Sequence, residues 1–155
     1  MKRRMFVLAT IVFYFAVTES FAADVFSGNW KLNVAKSKYD PGPLPKGLNF
    51  SKIDATEGGL RFTNEGVNAE GKPTHNEWSG KFDGKDNPVK SDPNRDTAAL
   101  KKIDDYTIEI VNKKDGKVTT TTRSVFSRDG KTRTQTTQGT NAQGVKVNNT
   151  IVYEK

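Results

Sequence analysis

The chain reads as an all-β protein, an up-and-down antiparallel barrel of nine or ten strands behind a cleavable export signal. Three observations lead there. Turn-forming pairs recur at short intervals: Gly58-Gly59, Asp83-Gly84, Asp115-Gly116 and Asp129-Gly130 among them. The segments between them have strand length and are rich in Thr, Val, Ile, Phe and Tyr. No long crossover helix interrupts the run, so each strand is expected to pair with the next through a tight hairpin.

Residues 1–22 read as an address. Lys2, Arg3 and Arg4 make a positive start, and Met5 to Val17 is almost uninterruptedly apolar, yet shorter than the roughly 20 residues of a membrane span. Ser20-Phe21-Ala22 supplies small residues where a signal peptidase reads, so cleavage is expected after Ala22 or Ala23; a single N-terminal anchor helix is the alternative. Residues 23–155 then form one domain, secreted or periplasmic, with no membrane span left.

Strands are expected at 26–32, 47–55, 59–67, 73–82, 97–103, 106–112, 117–127, 131–139 and 145–154, with a short tenth around Pro88 to Lys90. In the first, Phe26, Gly28, Trp30 and Leu32 share one side and the intervening polar residues the other. Asn33 is placed to cap a single helical turn over Val34 to Lys38, and Pro41, Pro43 and Pro45 stop it. Trp78 and Phe82 lie on one face with Gly80 between them. Tyr106, Ile108 and Ile110 make another apolar face, and Val145, Val147, Asn149, Ile151 and Tyr153 a last one. Nine or ten sequential strands favour closure, which removes the exposed edges of an open sheet.

The later strands break the pattern. Thr119 to Thr122, then Thr132, Thr134, Thr136 and Thr137, give threonine to both faces. Either a closed barrel here holds a hydroxyl-lined, watery cavity, or threonine is present only for its strand propensity.

Composition removes several function classes. The chain has no cysteine, hence no disulfide, thiol nucleophile or thiolate metal site, and its one histidine, His75, cannot build a multi-histidine centre in a monomer. Without residues 1–22 it carries 22 basic against 17 acidic residues, a net +5. That excess is spread along the chain without interleaved aromatics, so no nucleic-acid partner is expected. His75 and Glu77 sit on the face opposite Trp78 and are expected in solvent, with no third group for catalysis. The acidic stretch Asp83, Asp86, Asp92 and Asp96 contains Lys85 and Lys90 and lacks the dense ligand spacing of a calcium loop. It is expected to be a long solvated connection, over the barrel mouth. Neither metal nor cofactor is expected.

Phe-x-Gly-x-Trp-Lys-Leu at 26–32, the Asp-Gly-Lys hairpins at 83–85 and 129–131, and Ile-Val-Tyr-Glu-Lys at 151–155 resemble the lipocalin and fatty-acid-binding-protein superfamily. The resemblance implies that Gly28 and Trp30 close one end of a barrel. Fatty-acid carriers of that kind grip a carboxylate with an Arg-x-Tyr pair in the last strand and a second arginine two strands earlier. Here the pair reads Ile151-Val152-Tyr153: the tyrosine matches and the arginine does not. Val125 falls at the second arginine's place, with Arg123 on the same face as a substitute. The family's two-helix lid has no room in residues 33–46, so a proline-containing loop would cover the mouth or leave it open.

The expected function is that of a monomeric exported binding protein holding a small hydrophobic or amphipathic ligand, with Arg123, Tyr153, Ile151, Tyr106 and Trp78 as candidate contacts. The alternative is a non-catalytic envelope scaffold with a filled barrel. Catalysis is not expected, because no pair of ionisable groups is placed to converge in the cavity.

Overall fold

The structure, a computed structural model, describes residues 24–47 and 49–155. The expected signal segment lies outside them.

Ten strands follow one another: β1 (Gly28–Lys38), β2 (Phe50–Thr56), β3 (Gly59–Val67), β4 (Pro73–Lys81), β5 (Asp83–Pro88), β6 (Thr97–Asp104), β7 (Thr107–Lys114), β8 (Lys117–Phe126), β9 (Thr132–Thr140) and β10 (Lys146–Glu154). They form one antiparallel sheet in the order β4-β3-β2-β1-β10-β9-β8-β7-β6-β5. The pairing of β1 with β10 joins the two ends of the domain, Leu32 opposite Tyr153. The result is a nearly closed up-and-down barrel of calycin-like shape. One seam remains in the wall, because β4 and β5 touch without a ladder between them.

Two local expectations are corrected. No helical turn follows Asn33; β1 runs on to Lys38 through a bulge. There the Asn33 side chain accepts the Lys36 amide (3.1 Å) and its carbonyl the Ser37 hydroxyl (2.7 Å), so the capping residue stabilises a kink in a strand instead of a helix start. The tenth strand spans Asp83–Pro88, not Pro88 to Lys90, so half of the expected acidic loop is sheet. Cross-strand pairing with β6 and the Lys113–Asp86 ion pair (2.8 Å) outweigh the low strand propensity of Asp and Gly.

Connections β2–β3, β4–β5, β6–β7 and β8–β9 lie at one end, with Phe26 beneath; the remaining hairpins and residues 39–47 lie at the other. The first end is packed. Phe126 meets Phe26 and Trp30 edge-on, at 4.9 and 5.3 Å between centroids, and Ile53, Leu60, Leu100 and Ile108 are fully buried around them. Trp30 is completely buried, and its indole donates to the Phe26 carbonyl (3.2 Å). Gly28 explains its neighbour. Its φ is +141°, and a Cβ there would stand 2.4 Å from Lys155 Cε, whose ammonium lies 4.6 Å from the Trp30 ring centroid. Glycine thus lets the Lys155 side chain cross the strand and cover the tryptophan.

Candidate functional site

Alternation along β8 to β10 decides what faces the interior. Thr120, Thr122, Ser124 and Phe126 point in from β8, and their register partners Gly139, Thr137, Gln135 and Arg133 from β9. Asn149, Ile151 and Tyr153 continue the inner wall on β10, opposite Thr137, Gln135 and Arg133. Thr122 and Thr137 share a hydrogen bond of 2.9 Å across the wall. Of the eight threonines in these runs only Thr120, Thr122 and Thr137 serve the interior; Thr132, Thr134 and Thr136 alternate to the outside.

Arg133 lies at the centre of the site, directly above the aromatic floor. It is 2% exposed. Its guanidinium lies 4.1 Å from the Tyr153 ring centroid and 5.8 Å from that of Trp30. It donates to the Ser51 hydroxyl at 3.2 Å and to Gln135 Oε1 at a marginal 3.5 Å. Its Nε has no partner and is the one buried side-chain polar atom so placed among the described residues. No carboxylate among those residues forms an ion pair with it; burial lowers its pKa, and only Tyr153 opposes the shift. A guanidinium has five N–H donors and cannot shed its charge, so the Arg133 Nε–H is a buried charged donor without an acceptor.

Above Arg133 the wall is polar and open to water. Gln135, Thr137, Asn149, Ile151 and Tyr153 face inward yet each keeps partial exposure, in contrast to the sealed residues below. Tyr39, just past the end of β1, is half-buried beside Tyr153. Burial pushes its phenol well above the ordinary tyrosine range, with Tyr153 adding to the shift, so it stays a neutral donor. Loop 39–47 crosses the mouth and is tied to β10: the Asp40 amide donates to Asn149 Oδ1 (2.8 Å) and the Asn148 amide to the Asp40 carbonyl (2.7 Å). Pro41, Gly42, Asn94, Thr120, Asn141, Val145, Val147 and Asn149 enclose an open basin of about 510 Å³ there. From the Asn149 row to the Arg133 row is four residues of strand, about 13 Å.

The expected contacts fare differently. Tyr153 and Ile151 line the interior, Tyr153 against the core. Trp78 is buried and stacks on Phe62 at 4.8 Å with 8° between planes. Arg123 is exposed on the outer face with Val125, because the true parity of β8 is one residue away; a one-residue slip exchanges inside for outside. Tyr106 is also exposed. It precedes β7 in a turn where its amide donates to Asp104 Oδ1 (2.8 Å), so strand alternation does not govern its ring, which lies against Arg128. His75 and Glu77 are exposed, His75 facing Glu65 at 3.4 Å. Each aspartate of the acidic stretch has its own partner: Lys85 for Asp83, Lys113 for Asp86, Arg95 for Asp92 and the Asp115 amide for Asp96.

No family model matches the chain, and a search of the curated proteins finds no match. The barrel and its interior therefore carry the functional reading alone.

Proposed function

We propose that this protein is an exported, non-catalytic carrier that holds one small amphipathic anion inside its barrel, of the kind found in the lipocalin and fatty-acid-binding superfamily. The acid group would sit against Arg133 and the phenols of Tyr153 and Tyr39, with the rest of the ligand along the Ile151 wall toward the mouth. One observation carries the reading: Arg133 is a fully buried cation with an unpartnered Nε and no carboxylate to balance it. Isolating such a charge costs several kcal/mol, which an anionic ligand offsets on binding.

A filled scaffold is the second reading, favoured by the aromatic packing of Trp30, Phe126, Phe62 and Trp78. Native mass spectrometry of protein from its own host, followed by extraction and identification of any small molecule, separates the two. A stoichiometric acidic amphiphile supports the carrier. A protein that is empty, and that also fails to bind dodecanoate in titration, supports the scaffold.

A further inference from the structure

The basin at the mouth has a second compartment beside it. Where β4 and β5 part without a ladder, Arg61, His75, Glu77, Trp78, Ser79, Pro88, Lys90 and Ser91 enclose a cleft of about 460 Å³. The cleft lies on the outer side of the wall, where His75, Glu77 and Ser79 face out, and Trp78, whose side chain faces inward, stands between it and the interior. Between basin and cleft lies the segment joining β5 to β6. It turns at Ser91, a non-glycine residue with φ 61°, and is closed at its base by the Val89 amide on the Asp96 carbonyl (2.8 Å). Asn94 of this segment borders the basin and Ser91 the cleft.

Beyond that base and the Asp96 amide on the Lys113 carbonyl (3.0 Å), side chains hold the segment. Asp92 Oδ2 accepts from Arg95 Nε at 2.9 Å and from Asn76 Nδ2 on β4 at 3.0 Å. Arg95 donates to Asn112 Oδ1 on β7 at 2.7 Å and to Asn76 Oδ1 at 3.3 Å, and its guanidinium lies 5.3 Å from the Trp78 ring centroid. Asn112 in turn donates to Thr120, which lines the basin (3.0 Å). The Asp92–Arg95 pair is mostly buried, with side chains 17% and 14% exposed, unlike the other ion pairs among the described residues. These contacts bridge β4 to β7 across the unladdered seam, and every one is made by a side chain that can rotate away while the sheet stays intact.

We propose that Asp92 and Arg95 form a valve: the Arg95 guanidinium is a stopper on the inner face of Trp78, and a ligand occupying the barrel lifts it, joining basin and cleft into one channel. This rests on the carrier reading. The apolar part of the ligand would take the place of the guanidinium on the Trp78–Phe62 stack, and release of Asn76 would free β4 to move from β5.

The test is the kinetics of uptake of 8-anilinonaphthalene-1-sulfonate by stopped-flow fluorescence. Arg95→Ala should raise the association rate at least tenfold while leaving the Arg133 end untouched. Asn76→Cys/Asp92→Cys, in a chain with no other cysteine, places two thiols at the positions whose longer side chains now meet tip to tip, too far apart for a direct disulfide but within reach of the two-carbon reagent 1,2-ethanediyl bismethanethiosulfonate. Cross-linked by it, this variant should take up the probe at least tenfold more slowly than the native chain, and dithiothreitol should reverse the effect. Hydrogen exchange supplies a readout that needs no probe: the Val89 and Asp96 amides should exchange faster in Arg95→Ala, with β8–β10 unchanged. Equal uptake rates in all forms overturn the valve and leave the carrier standing; unchanged exchange at Val89 and Asp96 overturns it as well. Failure of every form to bind the probe overturns both.

Discussion

Replacing Arg133 by methionine separates a ligand-binding cation from a structural one. Methionine keeps much of the length and volume but removes the charge. The change forfeits an attraction to Tyr153 and Trp30 worth about 2 kcal/mol when desolvated, together with one hydrogen bond to Ser51 at 3.2 Å and a marginal one to Gln135. Against this stand the desolvation of a fully buried cation, several kcal/mol, and an unpartnered Nε, about 1–3 kcal/mol. The second group is at least as large as the first, so the ligand-free variant should be as stable as the native chain or up to about 3 kcal/mol more so. With ~3–5 °C of midpoint per kcal/mol for a domain of this size, that is a rise of up to about 15 °C in thermal unfolding. The same change should weaken dodecanoate binding by about 2–5 kcal/mol, the usual cost of deleting one partner of a buried charged contact, while dodecanol binding stays within about threefold. Calorimetric titration of both ligands, with thermal melts of the stripped proteins, measures all four quantities. A methionine variant that melts lower and retains the preference for the acid would refute the argument and make Arg133 part of the core.

Gly28→Ala should destabilise the fold by about 1–3 kcal/mol in urea titration, since alanine is strained at φ +141° and its Cβ displaces Lys155 from Trp30. Trp30→Ala should cost about 3–5 kcal/mol, the price of a cavity at a completely buried aromatic. In alkaline spectrophotometric titration one phenol should ionise far later than an ordinary tyrosine, and Tyr39→Phe should remove that step. Glu154 is held below its ordinary 4.5 by hydrogen bonds from Lys36 and Asn33. A carboxylate whose folded pKa is depressed contributes stability above the unfolded value and loses it as pH falls through the folded one; Lys36→Met should therefore raise the Glu154 titration midpoint read by NMR and shift the onset of acid unfolding to higher pH.

Most of the architecture was legible because the turns are spelled out in glycine, asparagine and aspartate, and because Trp30, Leu32, Trp78, Ile108 and Ile110 keep strict alternation. β5 was hidden, since a strand written Asp-Gly-Lys-Asp-Asn-Pro owes its conformation to its partner and not to its composition. Parity in the threonine-rich strands was hidden too: residues of one kind on both faces leave nothing to mark the inside, so nothing in β8 itself corrects the place that the family resemblance implies for Val125 and Arg123. The better signal was the Asn141–Gly144 turn. Counting outward from it pairs Thr140 with Lys146 and, seven steps on, Arg133 with Tyr153. Tyr39 gave no comparable sign, because a bulge separates it from the regular part of β1.

The two readings of the barrel divide along its axis. The apolar filling is concentrated at one end, where Trp30, Phe126, Ile53, Leu60, Leu100 and Ile108 are fully buried. Were stability the only demand, the cheapest content for the other half would be aliphatic, as it is around Ile53. That half is instead lined by Asn64, Asn76, Asn112, Thr120, Thr122, Gln135 and Thr137, with an arginine at its base that no acidic residue balances. Such an interior contributes less stability than an aliphatic one and is compatible with a bound ligand. The packed end and the polar end are therefore consistent with a single design, in which the aromatic floor supplies the stability that the chamber above it gives up.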